Sequence, residues 1–138
     1  MCNEMNAPVL LDAVNFKLNL KATIYRKHPV DNNVVLQVAV CSDGFAGIAD
    51  MDVSEDNLKL FVKQIHTMNK NAKGSAELKE TYGKNYISME MDKTGHVIVR
   101  GYLRTNSNEL SFSNKFEIQY LDMFDKELAN PDAWQEVV

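Results

Sequence analysis

The alternation of apolar and polar residues along this chain predicts a sheet with one buried face. Phe16, Leu18 and Leu20 begin a run with a period of two, and the same period returns over residues 86–118. Between these runs, the apolar residues of 58–68 recur at helical spacing. A period of two is typical of half-buried strands, and a period of about 3.6 indicates an amphipathic helix that packs on them.

This pattern divides the chain into seven strands and two helices. The predicted strands cover residues 15–27, 34–41, 45–53, 75–80, 86–91, 96–104 and 109–117, and the predicted helices cover residues 55–71 and 120–129. Short turns between strands favour hairpins, and a connection that contains Pro29 is predicted at residues 28–33. The order β-β-β-α-β-β-β-β-α is typical of an α+β fold with helices on one face of an antiparallel sheet. We predict a single domain over residues 1–138, in which residues 1–12 form either a loose N-terminal tail or a poorly specified first element.

The start of the first helix has the clearest local signal. The hydroxyl of Ser54 is suited to accept a hydrogen bond from an amide of the first turn. Glu55 and Asp56 place negative charge near the positive end of the helix dipole. Gly74 is expected to end the helix.

Composition narrows the class of protein. A chain of 138 residues with a net charge of −4 buries roughly two-thirds of its unfolded surface. It lacks the concentrated basic surface that nucleic-acid binding requires, so we expect no direct nucleic-acid partner. No stretch approaches the roughly 20 apolar residues of a membrane span. Since no signal peptide is recognisable either, we expect a cytoplasmic protein with no membrane partner.

The residues that most often carry catalysis or bind metal form no local motif. Cys2 and Cys41 lack CxxC spacing, and we expect a terminal thiol and a small packing residue rather than a disulfide. His28, His66 and His96 are far apart in the sequence and form no metal-ligand pattern. Because the nucleotide-binding loop and the nucleophile elbow are also absent, we predict no cofactor, no metal and no catalytic residue.

Two carboxylates form the first candidate patch. Asp50 and Asp52 alternate onto one face of a predicted strand whose other face carries Met51 and Val53. Acid–base catalysis would require burial that separates their pKa values. Solvated side chains are the simplest interpretation, and an acidic patch that docks a basic partner is the functional alternative.

Cationic and aromatic residues form the second candidate patch. Arg100, Tyr102 and Arg104 alternate with Val99 and Leu103, and therefore share the exposed face of a predicted strand. Arg and Tyr are frequent in the binding hot spots of protein interfaces. The competing interpretation is a solvated sheet face with cross-strand charge pairs.

Six segments carry a resemblance to a known family. In order, they are DNNVVLQVAV (31–40), DGFAG (43–47), LKLFVKQIHTM (58–68), GSAEL (74–78), TGHVIVRGYL (94–103) and LSFSNKFEIQYLDMF (110–124). Their order and spacing over residues 31–128 resemble the WapI family of bacterial immunity proteins. The resemblance implies a non-enzymatic α+β protein that binds and blocks a cognate toxin domain, often a nuclease. It assigns no site residue, because immunity surfaces differ between members.

Other classes of function remain open at the level of sequence. One is a small-molecule or sugar-binding module that holds its ligand against Arg100 and Tyr102. Another is an enzyme whose site is assembled from distant residues such as His96. Self-association through an exposed edge strand is also compatible with the pattern.

Overall fold

A computed structural model describes residues 5, 7–27 and 33–137 of the chain. Within these residues it has nine strands, two α-helices and two single 3₁₀ turns. The strands are β1 (Val9–Asp12), β2 (Phe16–Tyr25), β3 (Val34–Ser42), β4 (Phe45–Val53), β5 (Ser75–Lys79), β6 (Tyr86–Met91), β7 (His96–Arg104), β8 (Glu109–Glu117) and β9 (Gln135–Val137). The helices are α1 (Glu55–Asn71) and α2 (Leu121–Leu128), and the 3₁₀ turns are Ile118–Tyr120 and Pro131–Ala133.

The strands form two sheets. The first sheet has the antiparallel order β1-β2-β3-β4, and β9 runs parallel to β2 beyond the end of β1. The second sheet is an antiparallel meander, β5-β6-β7-β8. In both sheets, residues alternate between a buried face and a more exposed face, as the period of two requires.

Aromatic side chains join the two sheets into one core. The ring of Phe16 on β2 lies 5.8 Å from that of Phe112 and 6.1 Å from that of Phe116, centroid to centroid, and both partners are on β8. Gly101 on β7 makes room for one of these rings. A Cβ atom there would lie 2.1 Å from Cζ of Phe112, so a side chain at this position would displace the ring.

Helix α1 begins where its sequence predicts. The hydroxyl of Ser54 accepts a hydrogen bond of 3.0 Å from the amide of Asn57. The helix ends at Ala72, which adopts a left-handed conformation and donates its amide to the carbonyl of Met68. Gly74 follows with a φ of 104°. The buried face of α1 consists of Leu58, Phe61, Ile65 and Met68, and burial of such side chains stabilises a fold by roughly 1.5–3 kcal/mol each.

The α+β class and the order of the predicted elements are confirmed, and the details are corrected in two respects. The described strands number nine rather than about seven, and they form two sheets instead of one. Strand β1 lies within the predicted tail at residues 1–12, where Val9 and Leu11 are fully buried. Strand β9 follows α2 and has no buried residue. Both strands are too short to show a clear period in the sequence.

Two predictions involve residues that the structure does not describe. Cys41 is disulfide-bonded, so the prediction of a packing thiol was wrong, and Cys2 lies outside the described residues. The predicted connection at residues 28–33 also lies outside them, except for Asn33. Neither α1 nor α2 is long and apolar enough to span a lipid bilayer.

Candidate functional site

The two predicted carboxylates lie on the exposed face of β4, at the edge of the first sheet. Asp50 and Asp52 alternate with Ala49, Met51 and Val53, which are buried. Within residues 7–27 and 33–137, neither carboxylate forms a salt bridge or a side-chain hydrogen bond. Both carboxylates are exposed.

The three residues of the cationic patch share the outer face of β7. A guanidinium nitrogen of Arg100 lies 2.8 Å from a carboxylate oxygen of Glu90 on the neighbouring strand β6. The hydroxyl of Tyr102 donates a hydrogen bond of 2.6 Å to the carboxylate of Glu109. This hydrogen bond raises the pKa of Tyr102, burial raises it further, and the charge of nearby Arg104 opposes the shift. The patch is thus partly neutralised by its own neighbours.

Asn85 connects these two patches through the backbone. Its side-chain nitrogen donates hydrogen bonds of 3.3 Å to the carbonyl oxygens of Asp50 and of Arg104. Its side-chain oxygen accepts one of 2.9 Å from the amide of Arg104. Asn85 is buried and holds the edge of the first sheet against the end of β7. In the sequence it only precedes the predicted strand at residues 86–91, and its role was not visible because its partners are distant in the chain.

A groove of about 920 Å³ lies over the outer face of the first sheet and extends around its edge strand β4 to Leu103 and Leu110 of the second sheet. Lys21 and Gln37 lie on its floor, and the turn between β7 and β8 forms one end. Phe45 and Ile48 line it with apolar side chains that are 71% and 56% exposed. Exposed apolar groups of this size, gathered in a concave surface, mark interaction sites more often than isolated ones do.

Glu109 links the groove to the cationic patch. The residue lines the groove, and its carboxylate accepts the hydrogen bond from Tyr102 on the outer face of the second sheet. The groove is therefore adjacent to Tyr102, and Arg100 lies beyond Tyr102 on the same face of β7. A second cavity of about 480 Å³ lies on this outer face beside Tyr86 and Ser88, the cross-strand neighbours of Tyr102 and Arg100.

Comparison of the chain with known family models, with curated proteins and with solved structures gives no match. The resemblance to the WapI family therefore stays a prediction. Among the described side chains, no group of three or more His, Cys, Asp or Glu residues is placed to hold a metal ion.

One pair of titratable residues was missed by the sequence reasoning. Nδ1 of His66 on α1 lies 3.1 Å from a carboxylate oxygen of Asp125 on α2, and the amide of Asn69 donates to the same oxygen at 2.9 Å. The Asp125 side chain is only 7% exposed, whereas that of His66 is 63% exposed. The pair lies outside both cavities. Its evident role is to join the two helices, since each contributes one partner.

His96, the histidine considered for an assembled active site, lies at the end of a hairpin turn. The carboxylate of Asp92 accepts hydrogen bonds from the amides of His96 and Thr94, at 2.9 and 2.8 Å. The Thr94 hydroxyl also donates to it, and Lys115 lies 3.1 Å away. These contacts, the His96 amide foremost, lower the pKa of Asp92 despite its partial burial. The contacts account for the turn between β6 and β7.

Proposed function

We propose that this protein is a non-catalytic, immunity-type protein that binds and neutralises a cognate toxin domain. The observation that carries the proposal is the composition of the outer face of β4. Ile48 is exposed on that face together with Asp50 and Asp52, and no charge partner of the two aspartates is found among the described residues. Phe45 lies on the opposite face of the strand, by the alternation of side chains, and is exposed in the same groove. Apolar anchors beside unpaired charges are typical of a protein-binding surface.

The acidic side of this surface is the better candidate for first contact. Arg100 is paired with Glu90, whereas Asp50 and Asp52 have no charge partner among the described residues. Unpaired charge accelerates the association of oppositely charged proteins and does so most strongly at low salt. We therefore assign the steering role to Asp50 and Asp52, and a contact role to Arg100, Tyr102 and Arg104.

On this proposal, a gene next to that of this protein is expected to encode a large secreted protein, and the decisive experiment uses the C-terminal domain of that protein. We expect a one-to-one complex by calorimetry and light scattering, and relief of the domain's toxicity on co-expression. The absence of such a neighbouring gene, or of binding at micromolar concentration, contradicts the proposal.

Charge reversal tests the steering role within that complex. We expect Asp50→Lys to slow association at least tenfold at low salt, because it replaces an attractive charge with a repulsive one. Glu117→Lys is the matched control. Glu109 lines the groove at one end of β8, and Glu117 lies at the other end of this strand. The distance between these two residues is about 26 Å, at roughly 3.3 Å per residue. Equal association rates for the two variants would remove Asp50 from the contact surface.

The groove supports a second candidate function, the binding of a small organic ligand. Its volume of about 920 Å³ lies within the range typical of ligand pockets, roughly 300–1,000 Å³. This site differs from the predicted one, because Arg100 and Tyr102 do not line the groove. A rise in melting temperature with a metabolite, abolished by Ile48→Trp, would favour this function over toxin binding.

The proposed place of action is the cytoplasm, where an immunity protein protects its own cell. Disulfides are rare in that compartment, where thiols are kept reduced, and Cys41 is disulfide-bonded in the structure. Cell fractionation combined with thiol trapping decides this point. A cytoplasmic protein is expected to have Cys41 alkylated in intact cells, and recovery of an oxidised protein outside the cytoplasm contradicts the assignment.

A further inference from the structure

The first half of β4 has an open edge. The carbonyl oxygens of Asp50 and Asp52 point away from β3, because they accept hydrogen bonds from Asn85 and Thr81. Backbone groups of an antiparallel strand alternate in direction, so those of Ala46 and Ile48 point the same way. None of the described residues forms a hydrogen bond with them. Over residues 45–48, the outward backbone donors and acceptors of β4 therefore have no hydrogen-bond partner among the described residues.

Other sheet edges are protected. The amide of Glu77 on β5 donates to the side chain of Gln64 on α1 at 3.2 Å. Strand β1 lies against helix α2. Strand β8 carries polar and charged side chains, the usual protection of an exposed edge: Ser111, Ser113 and Lys115. Beside the open part of β4, in contrast, the exposed side chains are the apolar Phe45 and Ile48.

Recognition of a peptide by strand addition requires two features, unpaired backbone groups at a sheet edge and adjacent pockets for side chains. The edge of β4 has such backbone groups next to an apolar groove. The added strand gains affinity from main-chain hydrogen bonds and specificity from the pockets that receive its alternate side chains. The Asn85 side chain occupies the edge at Asp50, so an added strand pairs with β4 over residues 45–48 only. The end of that strand lies next to the exposed carboxylates of Asp50 and Asp52.

We propose that the toxin domain binds by adding an extended, basic segment as a further strand beside residues 45–48 of β4. This inference rests on the proposed function and names its mode of binding. Apolar side chains of the segment enter the groove near Phe45 and Ile48, and a Lys or Arg at its end meets Asp50. Lys21, the cation among the described groove residues, lies on β2, two strands away from this edge.

Charge argues against a second copy of this chain as the occupant. If two β4 edges paired antiparallel about Gly47, Asp50 of one copy would lie beside Gly44 of the other, next to the exposed Asp43. Parallel pairing in register would place Asp50 beside its own equivalent. Like charges in neighbouring strands are destabilising, whereas a basic segment avoids both conflicts.

Amide hydrogen exchange, followed by NMR, tests the open edge and its closure. In the free protein, we expect the amides of Ala46 and Ile48 to exchange at least a hundredfold faster than those of Gly47 and Ala49, which face β3. In the complex with the toxin domain, the Ala46 and Ile48 amides should become protected. Equal protection of all four amides in the free protein would mean that the edge is closed, and the inference would be wrong.

A backbone substitution provides the second test. Ile48→Pro removes an outward donor that the sheet does not use, so the ladder with β3 keeps its hydrogen bonds. Ile48→Ala is the matched control, since it removes the side chain and keeps the amide. We expect Ile48→Pro to bind the toxin domain at least tenfold more weakly than Ile48→Ala. Should the proline variant fail to fold, by circular dichroism, the exchange experiment decides alone.

The outcomes separate this inference from the proposed function. If the toxin domain does not bind the wild-type protein, the proposed function fails and the inference fails with it. If the domain binds, but the Ala46 and Ile48 amides gain no protection and the two Ile48 variants bind equally, the function stands and strand addition is wrong. Protection that arises from self-association without the toxin domain identifies a second copy as the occupant and also overturns the inference.

Discussion

Asp92 illustrates how a single side chain determines a local structure. Its carboxylate accepts hydrogen bonds from the amides of His96 and Thr94 and lies 3.1 Å from the ammonium group of Lys115. All of these contacts favour the charged form, so the pKa of Asp92 is lowered in the folded protein, mainly by the His96 amide. In an unfolded chain, an aspartate titrates at about 3.9. The folded state therefore binds the proton of Asp92 less readily than the unfolded state does.

This difference makes the contribution of Asp92 to stability pH-dependent. The stabilisation is fully present above the unfolded pKa and is lost as the pH falls through it toward the lower folded pKa. We expect Asp92→Asn to be less stable than wild type at pH 6, and the gap to narrow by pH 2.5. Urea denaturation at both pH values measures this difference in the free energy of unfolding, and Glu117→Gln is the control for an exposed carboxylate. A gap that is constant with pH contradicts this account.

Elements with a long and regular pattern were predicted best. The predicted bounds of β4, α1, β6, β7 and β8 agree with the structure. Strands β1 and β9 were missed, since four and three residues are too few to establish a period. The sequence predicted where the elements lie better than it predicted which elements contact each other. Asn85 is an example, because its role depends on two strands that lie 35 and 19 residues away in sequence.

The hydrogen bonds of Asn85 to the backbones of β4 and β7 should contribute measurably to the free energy of unfolding. Asn85→Ala leaves two carbonyl groups and one amide without a partner, and each buried unsatisfied group costs about 1–3 kcal/mol. We expect a loss of about 2–4 kcal/mol in the free energy of unfolding, because water reaches some of these groups after the substitution. Asn106→Ala, at an exposed turn, is the control and should change stability by less than about 0.5 kcal/mol. A similar loss for both variants would exclude this role.

At the scale of the whole molecule, the apolar residues divide into two sets with different tasks. Phe16 is 1% exposed and packs between the sheets, whereas Phe45 is 71% exposed in the groove. The first sheet, the second sheet and the helices all contribute to one buried cluster. We therefore expect the chain to unfold in one cooperative step rather than sheet by sheet.

A pair of phenylalanine substitutions tests this division. Phe16→Ala should lower the free energy of unfolding by about 3–5 kcal/mol, the usual cost of such a core truncation. Phe45→Ala should leave stability within about 0.5 kcal/mol of wild type and weaken toxin binding about tenfold. If Phe16→Ala does not fold, the milder Phe16→Leu still ranks below Phe45→Ala in stability. Loss of stability at Phe45 would place this residue in the core and remove it from the contact surface.

The sequence by itself determined which residues are buried within most elements, since a period of two or 3.6 follows from local geometry. It thus predicted the α+β class, the bounds of α1 and the exposed positions of Asp50, Asp52, Arg100 and Arg104. Only the tertiary structure decided that the strands form two sheets. It also placed the groove over the first sheet and left the edge of β4 open at residues 45–48. These features depend on which strands become neighbours, and that choice is made by packing between residues far apart in the chain.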